Sequence, residues 1–356
     1  PPAHALEFSL ETGELKAWRY WRLPNMALAG GHGPHEERAL LGELEALLQD
    51  AVRRQMVADV PVGVLLSGGV DSSLITAMAV RASSKVKTFT VCFPEYPAYD
   101  EAKHARLIAR HFGTDHVELE AQPTSADLVS RLARQFDEPI VDSSMIPTYF
   151  LSQMVREHCT VALGGDGGDE LFGGYPHYSR LLWMQSTLGE VPRSMCQAVS
   201  YAAEHLLPVG MKGRNWLLGL GVDSENGSSL VSSCFDATTR RRLMSAQDGW
   251  STVADKSESS LSSDLLQRLT RKDFGEYLAE DILVKVDRAS MLTSLEVRAP
   301  LLDCRLIEFA FGKVPSYLKA TAQNKKILLK RLLARVMPLD FDQQRKHGFS
   351  IPLADW

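Results

Sequence analysis

The sequence predicts an α/β fold, a doubly wound parallel sheet with a helical C-terminal elaboration, and three observations carry that expectation. Short apolar runs alternate with helix-patterned segments up to Leu163, the pattern of a parallel sheet covered by helices on both faces. Two of the runs end in glycine-rich junctions, Ser67-Gly68-Gly69-Val70-Asp71-Ser72-Ser73 and Gly164-Gly165-Asp166-Gly167-Gly168-Asp169-Glu170-Leu171-Phe172-Gly173-Gly174-Tyr175. Beyond Ser179 the patterning is helical, without a clear strand.

In order, Leu6 to Trp21 alternates around Thr12-Gly13-Glu14 and reads as a hairpin. Residues 25–35, rich in Gly, Pro and Asn, read as a linker. A helix follows from about Glu36 to Val57, with Leu40, Leu44, Leu47, Leu48, Ala51 and Val52 on one face. Val62 to Leu66 is a buried strand, and Leu74 to Met78 belongs to the helix after the first glycine junction. Val86 to Phe93 is the next strand. Asp100 to Phe112 is a helix stopped by Gly113. His116 to Leu119 is a short strand, Ser125 to Phe136 and Met145 to Glu157 are helices, and Thr160 to Leu163 is a strand. Asp223 to Ser233 and Ser251 to Ser263 are polar loops. Phe274 to Phe311 reads as helical in pieces, and there Lys285 and Arg288, three apart, are expected on a solvated helix face. Lys325 to Val336 is a basic helix.

Composition narrows the class. The 356 residues, 45% hydrophobic and 23% charged, suit a soluble globular protein of one large or two ordinary domains. A net charge of −5 leaves no electrostatic footprint for nucleic acid or an anionic membrane. No apolar run approaches a membrane span and no secretory signal is visible. Five scattered cysteines without CxxC spacing point to a reduced, cytoplasmic protein with no zinc site, Cys92 and Cys159 being small core residues.

The two glycine junctions carry the chemistry. A strand, a glycine turn and a helix N-terminus build an anion site, because glycines admit a phosphate to the backbone and the helix dipole favours negative charge. Ser67, Ser72 and Ser73 add hydroxyls, and Asp71 can hold the metal ion that a polyphosphate brings. A lysine does not follow the second glycine as a Walker loop requires. In the second junction Asp166, Asp169 and Glu170 would repel one another unless a cation intervenes. Open α/β sheets bind ligands at the carboxyl ends of their strands, where both junctions fall.

The first junction resembles the SGGxDSS loop of ATP pyrophosphatases, which implies an adenine nucleotide α-hydrolase-like sheet. Five ordered motifs, VPVGVLLSGGVDSS, GGDGGDELFGGY, KVDRASM, SLEVRAPLLD and RKHGFSIPLADW, resemble the synthetase domain of glutamine-dependent asparagine synthetases over residues 36–356. The resemblance implies ATP and Mg²⁺ as cofactors, adenylation of a carboxylic acid (aspartate first among them) and displacement of AMP by ammonia. By that likeness Ser67, Gly68, Gly69, Asp71, Ser72 and Ser73 hold pyrophosphate. Leu66, Val91, Gly164 and Gly165 contact the nucleotide, and Asp71 and Asp169 bind Mg²⁺. Asp166 supports the reaction with ammonia, and Lys346 stabilises charge at adenylation.

Two departures bear on the substrate. Gly164-Gly165-Asp166 stands where asparagine-forming members often carry Ser-Gly-Glu, one methylene longer. Asp142 to Pro147 contains no arginine where some members place one for aspartate. Amidation or cyclisation of a sugar uronate, a peptide or a β-lactam precursor is therefore the alternative, and a non-catalytic nucleotide-binding partner the third reading. The hairpin of residues 1–24 resembles the last strands of the family's glutaminase domain, so an upstream glutaminase is the expected partner. Further chain is expected beyond Trp356, and a homodimer is left open.

Overall fold

The computed structural model describes residues 2–25, 33–97, 99–120, 127–138, 140, 142–188, 191–208, 211–221 and 264–337. The loops expected over Asp223–Ser233 and Ser251–Ser263, the motif RKHGFSIPLADW with Lys346, and most of the 25–35 linker lie outside the described residues.

The N-terminal hairpin pairs β1 (His4–Phe8) with β2 (Leu15–Arg19), antiparallel. Helix α1 (Pro34–Gln55) then buries Leu40, Leu44, Leu48, Ala51 and Val52, as its apolar stripe predicts. Pro34 stands in its first turn, and the Glu36 carboxylate accepts the Gly33 N–H at 3.2 Å.

Five parallel strands follow: β3 (Val62–Leu65), β4 (Lys87–Cys92), β5 (Asp115–Glu120), β6 (Val161–Leu163) and β7 (Glu296–Arg298). Their spatial order is β5-β4-β3-β6-β7. The chain steps outward from β3 through β4 to β5, then returns to the other side of β3 with β6. The order therefore reverses between β3 and β6, the place where an open α/β sheet leaves a crevice. Both glycine junctions leave the sheet there.

Residues alternate between the faces. Val64 and its partner Leu163 join a cluster with α1 and with α2 (Val70–Ala82). Phe89 and Ala162 pack instead with Val155 of the helix that precedes β6. The two clusters make a core on each side of the sheet. The helices between strands are α3 (Ala102–Phe112), α4 (Asp127–Gln135) and α5 (Met145–Arg156). Cys92 and Cys159 are buried, as expected.

After β6 the chain is helical: α6 (Gly168–Phe172), α7 (Pro176–Leu188), α8 (Arg193–Leu206), α9 (Arg214–Leu220) and α10 (Leu265–Asp273). A π-helical stretch, Phe274–Ile282, runs into α11 (Leu283–Met291). Then come α12 (Cys304–Gly312), α13 (Ser316–Lys319) and α14 (Ile327–Val336).

Two expectations are corrected and one is sharpened. The segment around Glu296 is not helical: β7 pairs parallel with β6, matching Val297 to Ala162. Three residues are too few for a period to show, and the strand is fixed by the sheet edge it completes. The helix after the first junction begins at Val70 with Gly69 as its N-cap, so Asp71, Ser72 and Ser73 lie in its first turn. Lys285 does not face solvent: it is 8% exposed, with Nζ 3.0 Å from Asp142 Oδ2 and 2.8 Å from Ser144 Oγ. Only Arg288, ion-paired with Asp137, stays outside.

A second lysine is buried in the helical part. Lys319 is 0% exposed, its Nζ has no hydrogen-bond partner, and it lies 4.5 Å from the centre of the Phe311 ring. Burial and the neighbouring Arg271 lower its pKa to about 7.

Candidate active site

At the switch point the two junctions face each other across a pocket of about 330 Å³, within the range of small-molecule sites. The β3 junction contributes Leu66, Ser67, Gly68, Gly69, Asp71 and Ser72. Val91 enters from β4, and Gly164, Gly165, Asp166 and Asp169 from the β6 junction. Those are the described residues singled out from the sequence, with one difference. Ser73 is fully buried and off the pocket wall, and its Oγ has no hydrogen-bond partner.

The β3 junction is pre-organised. Leu66 N–H donates to Phe89 O at 2.7 Å, holding the loop to the neighbouring strand. Ser67 N–H donates to Ser72 Oγ at 3.3 Å, and the two hydroxyls lie 3.0 Å apart. Gly68 has φ +76°, and a Cβ there would stand 2.7 Å from His104 Cβ on α3. The turn thus needs both the left-handed backbone and the missing side chain. What results is a helix N-terminus flanked by two hydroxyls, an arrangement that accepts an anion.

The β6 junction brings its carboxylates to three different places. Glu170 turns into the core, 2% exposed, and accepts the Tyr175 hydroxyl at 2.5 Å. Burial lifts its pKa to about 7, the Tyr175 hydrogen bond opposing that rise. Behind it Tyr178 donates to Asp273 Oδ2 at 2.7 Å, and His177 Nε2 lies 2.9 Å from the same oxygen. Asp166 stands partly exposed on the pocket wall. Desolvation pushes its carboxyl above the usual range, with the Lys285 charge pulling the other way.

Asp169 converges with Asp71. Between them sits Lys326, 6% exposed, with Nζ 2.9 Å from Asp169 Oδ1 and in a short ion pair with Asp71 Oδ2. Burial works against its charge, but Asp169 and Asp71 outweigh that and hold its pKa above normal. The cation joins one of the three clustered carboxylates, Asp169, to Asp71 of the other junction, and it was not legible in advance. It lies on the turn before α14, in the left-handed region at φ 52°. The only signal was a pair of lysines after Asn324, which look like the start of a basic helix.

The donors suit a divalent cation shared with phosphates. Magnesium is bound through one or two carboxylates plus substrate phosphate oxygens. Asp71 and Asp169 supply two hard oxygen donors at one point, and an ammonium already stands as a cation there. Among the described residues no group of three or more His, Cys, Asp or Glu side chains forms a closed cage.

Beyond Asp166 the pocket borders α5 and α11, where Thr148, Ser152 and Val286 line the wall. Asp142 in this region is committed to Lys285 and to the Ser144 N–H, which donates to it at 2.8 Å; burial alone would raise its pKa, and those partners bring it below normal.

The chain is 31% identical over 331 residues to the asparagine synthetase [glutamine-hydrolyzing] 1 of Bacillus subtilis, covering 90% of this chain and 51% of that protein. It is 28% identical over 376 residues to asparagine synthetase 3 of the same organism, covering 98% of this chain and 53% of that protein. The chain thus spans about half the length of these curated relatives. Among solved structures, an NH3-dependent NAD synthetase from Campylobacter jejuni matches 52% of this chain and 93% of that chain at 12% identity. Its TM-score of 0.26 is too low to bear on this chain. The model of the asparagine synthase family matches residues 43–356, from within α1 through both glycine junctions to the last residue, and the chain belongs to that family.

Proposed function

We propose that this chain is the amide-forming part of an AMP-producing ligase, which adenylates a carboxylic acid with ATP and transfers the acyl group to ammonia. The observation that carries the reading is the convergence of the Ser67–Ser72 anion cradle with Asp71, Asp169 and Lys326 in one pocket. In the reaction, a carboxylate oxygen of the acid forms a bond to the α-phosphorus as the bond from that phosphorus to the bridging β-oxygen breaks. Pyrophosphate leaves into the N–H groups of Gly68 and Gly69, the Ser67 and Ser72 hydroxyls and the α2 N-terminus. Asp71 and Asp169 would hold Mg²⁺, which supplies charge neutralisation between phosphate oxygens. Lys346, outside the described residues, is proposed to stabilise negative charge at adenylation.

In the second half the ammonia nitrogen bonds to the acyl carbon, AMP departs and the nitrogen releases a proton. Asp166, on the pocket wall with its carboxyl raised above the usual range by desolvation, is proposed to take it. The acid is proposed to be aspartate, and the ammonia to come from a glutaminase domain of the full-length protein. The names and lengths of the relatives support both. The absence of arginine over Asp142–Pro147 makes another acid the reading to test against.

Incubated with ATP, Mg²⁺, ammonium and aspartate, the chain should release AMP and pyrophosphate in equal amounts, read by chromatography. ADP as product would refute the mechanism, and AMP formed only with another acid would reassign the substrate. A second test concerns the approach of the two junctions. A Cβ on Gly168 would lie 2.6 Å from Asp71 Oδ1. Gly168→Ala should weaken ATP binding about tenfold, or ~1.4 kcal/mol, in a calorimetric titration.

A further inference from the structure

We propose that Lys326 occupies the metal position of the nucleotide-free protein, so that a divalent cation binds between Asp71 and Asp169 only when a nucleotide draws the lysine away. The inference rests on the proposed function for the identity of the nucleotide, and on geometry alone for the rest. The Lys326 ammonium contacts both carboxylates and is nearly sealed from water. A divalent ion placed on the same two oxygens would meet an ammonium within ion-pair distance, and like charges at that range repel strongly.

The lysine is held there by the chain around it. The preceding turn closes on itself: Thr321 N–H donates to Asn324 O at 2.8 Å, and Asn324 N–H donates to Thr321 Oγ1 at 3.1 Å. Lys326 itself takes the left-handed conformation at φ 52°, ψ 41°, disfavoured for a residue with a Cβ and kept where the surroundings impose it. Its side chain passes over Gly174, where an added Cβ would collide with both Lys326 Cε and Asp169 Oδ1. A path for the stem has thus been left open in the backbone of the β6 junction.

The same lysine also lines the anion pocket, with Lys325 and Lys330 beside it. A polyphosphate in the cradle offers the ammonium a new set of oxygens one side-chain rotation away. The stem has four methylenes, so the backbone turn need not move. Transfer of Lys326 to phosphate releases two carboxylate oxygens for the metal at the moment the phosphates that complete its shell are present. Metal and nucleotide affinities are then coupled, and the coupling is reciprocal.

The test measures Mn²⁺ binding to the purified chain without nucleotide, by the electron paramagnetic resonance signal of the free ion, so turnover does not enter. Wild type should bind Mn²⁺ weakly. Lys326→Met should bind it at least about tenfold more tightly, and adding Asp71→Asn to that variant should abolish the gain. Mn²⁺ affinity unchanged by Lys326→Met, with the fold intact by circular dichroism, overturns the proposal. Should Lys326→Met fail to fold, Lys326→Cys serves, because aminoethylation of its thiol restores an ammonium. Tight Mn²⁺ binding before that treatment and weak binding after it supports the proposal, and no difference between the two overturns it. A chain that passes these tests yet forms no AMP would refute the ligase reading and leave this one standing.

Discussion

Asp71→Asn should lower AMP formation by about a thousandfold, the scale of losing one preorganised electrostatic group at a transferring phosphoryl centre. The substitution keeps the size and shape of the side chain and removes only its charge, so the effect isolates what the carboxylate does. Asp71 lies in the first turn of α2, against the β6 junction at Gly165 and Gly168. The fold should survive, because Lys326 keeps Asp169 as a partner at 2.9 Å. A thermal melt of the single variant should stay within a few degrees of wild type. Removing both carboxylates, Asp71→Asn with Asp169→Asn, should instead cost about 3–5 kcal/mol of stability, the usual consequence of leaving a buried charge unpaired. A double variant as stable as the single one would show that Lys326 does not depend on these two residues. Turnover of Asp71→Asn within tenfold of wild type would remove Asp71 from the catalytic assembly.

What the sequence made legible follows from what local patterns encode. Both glycine junctions were readable because each combines a buried strand, glycines and polar side chains within a dozen residues, and the structure opens them onto one pocket. The order of strands up to Leu163 was readable for the same reason, each strand being followed by a helix with its own periodicity. What could not be read depends on contacts across long stretches of chain. β7 is three residues long and is a strand only because β6 offers it an edge. Lys285 and Lys326 look like helix-surface cations until the turn before α5 brings Asp142 to one and the two junctions bring Asp71 and Asp169 to the other. Spacing alone favours the solvated reading for such residues, and burial beside a carboxylate more than 140 positions away overrides it.

Lys319 supplies the other large effect, and it is one of stability. Its ammonium has to leave water on folding, and the structure gives it the Phe311 ring but no hydrogen bond. Arg271, also over that ring at 5.2 Å, adds a like charge. An unfolded chain holds the proton up to the ordinary lysine value of 10.5, whereas in the fold the pKa falls to about 7. Between those values the unfolded state carries more protons than the native state, so stability rises with pH across the window. Below about 7 the folded lysine must also be charged, and the full penalty applies. Lys319→Met keeps a flexible stem against Phe311 and removes the charge. The variant should gain ~2–4 kcal/mol at pH 6.5, the pKa difference converted at about 1.4 kcal/mol per unit less a cation–π contact of ~1–2 kcal/mol. Near pH 9.5 the gain should shrink to ~1–1.5 kcal/mol, because only about one pH unit of the window then remains below the unfolded lysine value of 10.5. Urea unfolding at the two pH values reads both numbers. A gain of the same size at both, or a loss at pH 6.5, would mean that Lys319 is solvated or paired in the native protein. The site itself stays intact in this comparison, since Lys319 points into the core while the neighbouring Ala320 backs Gly173 at the end of the β6 junction.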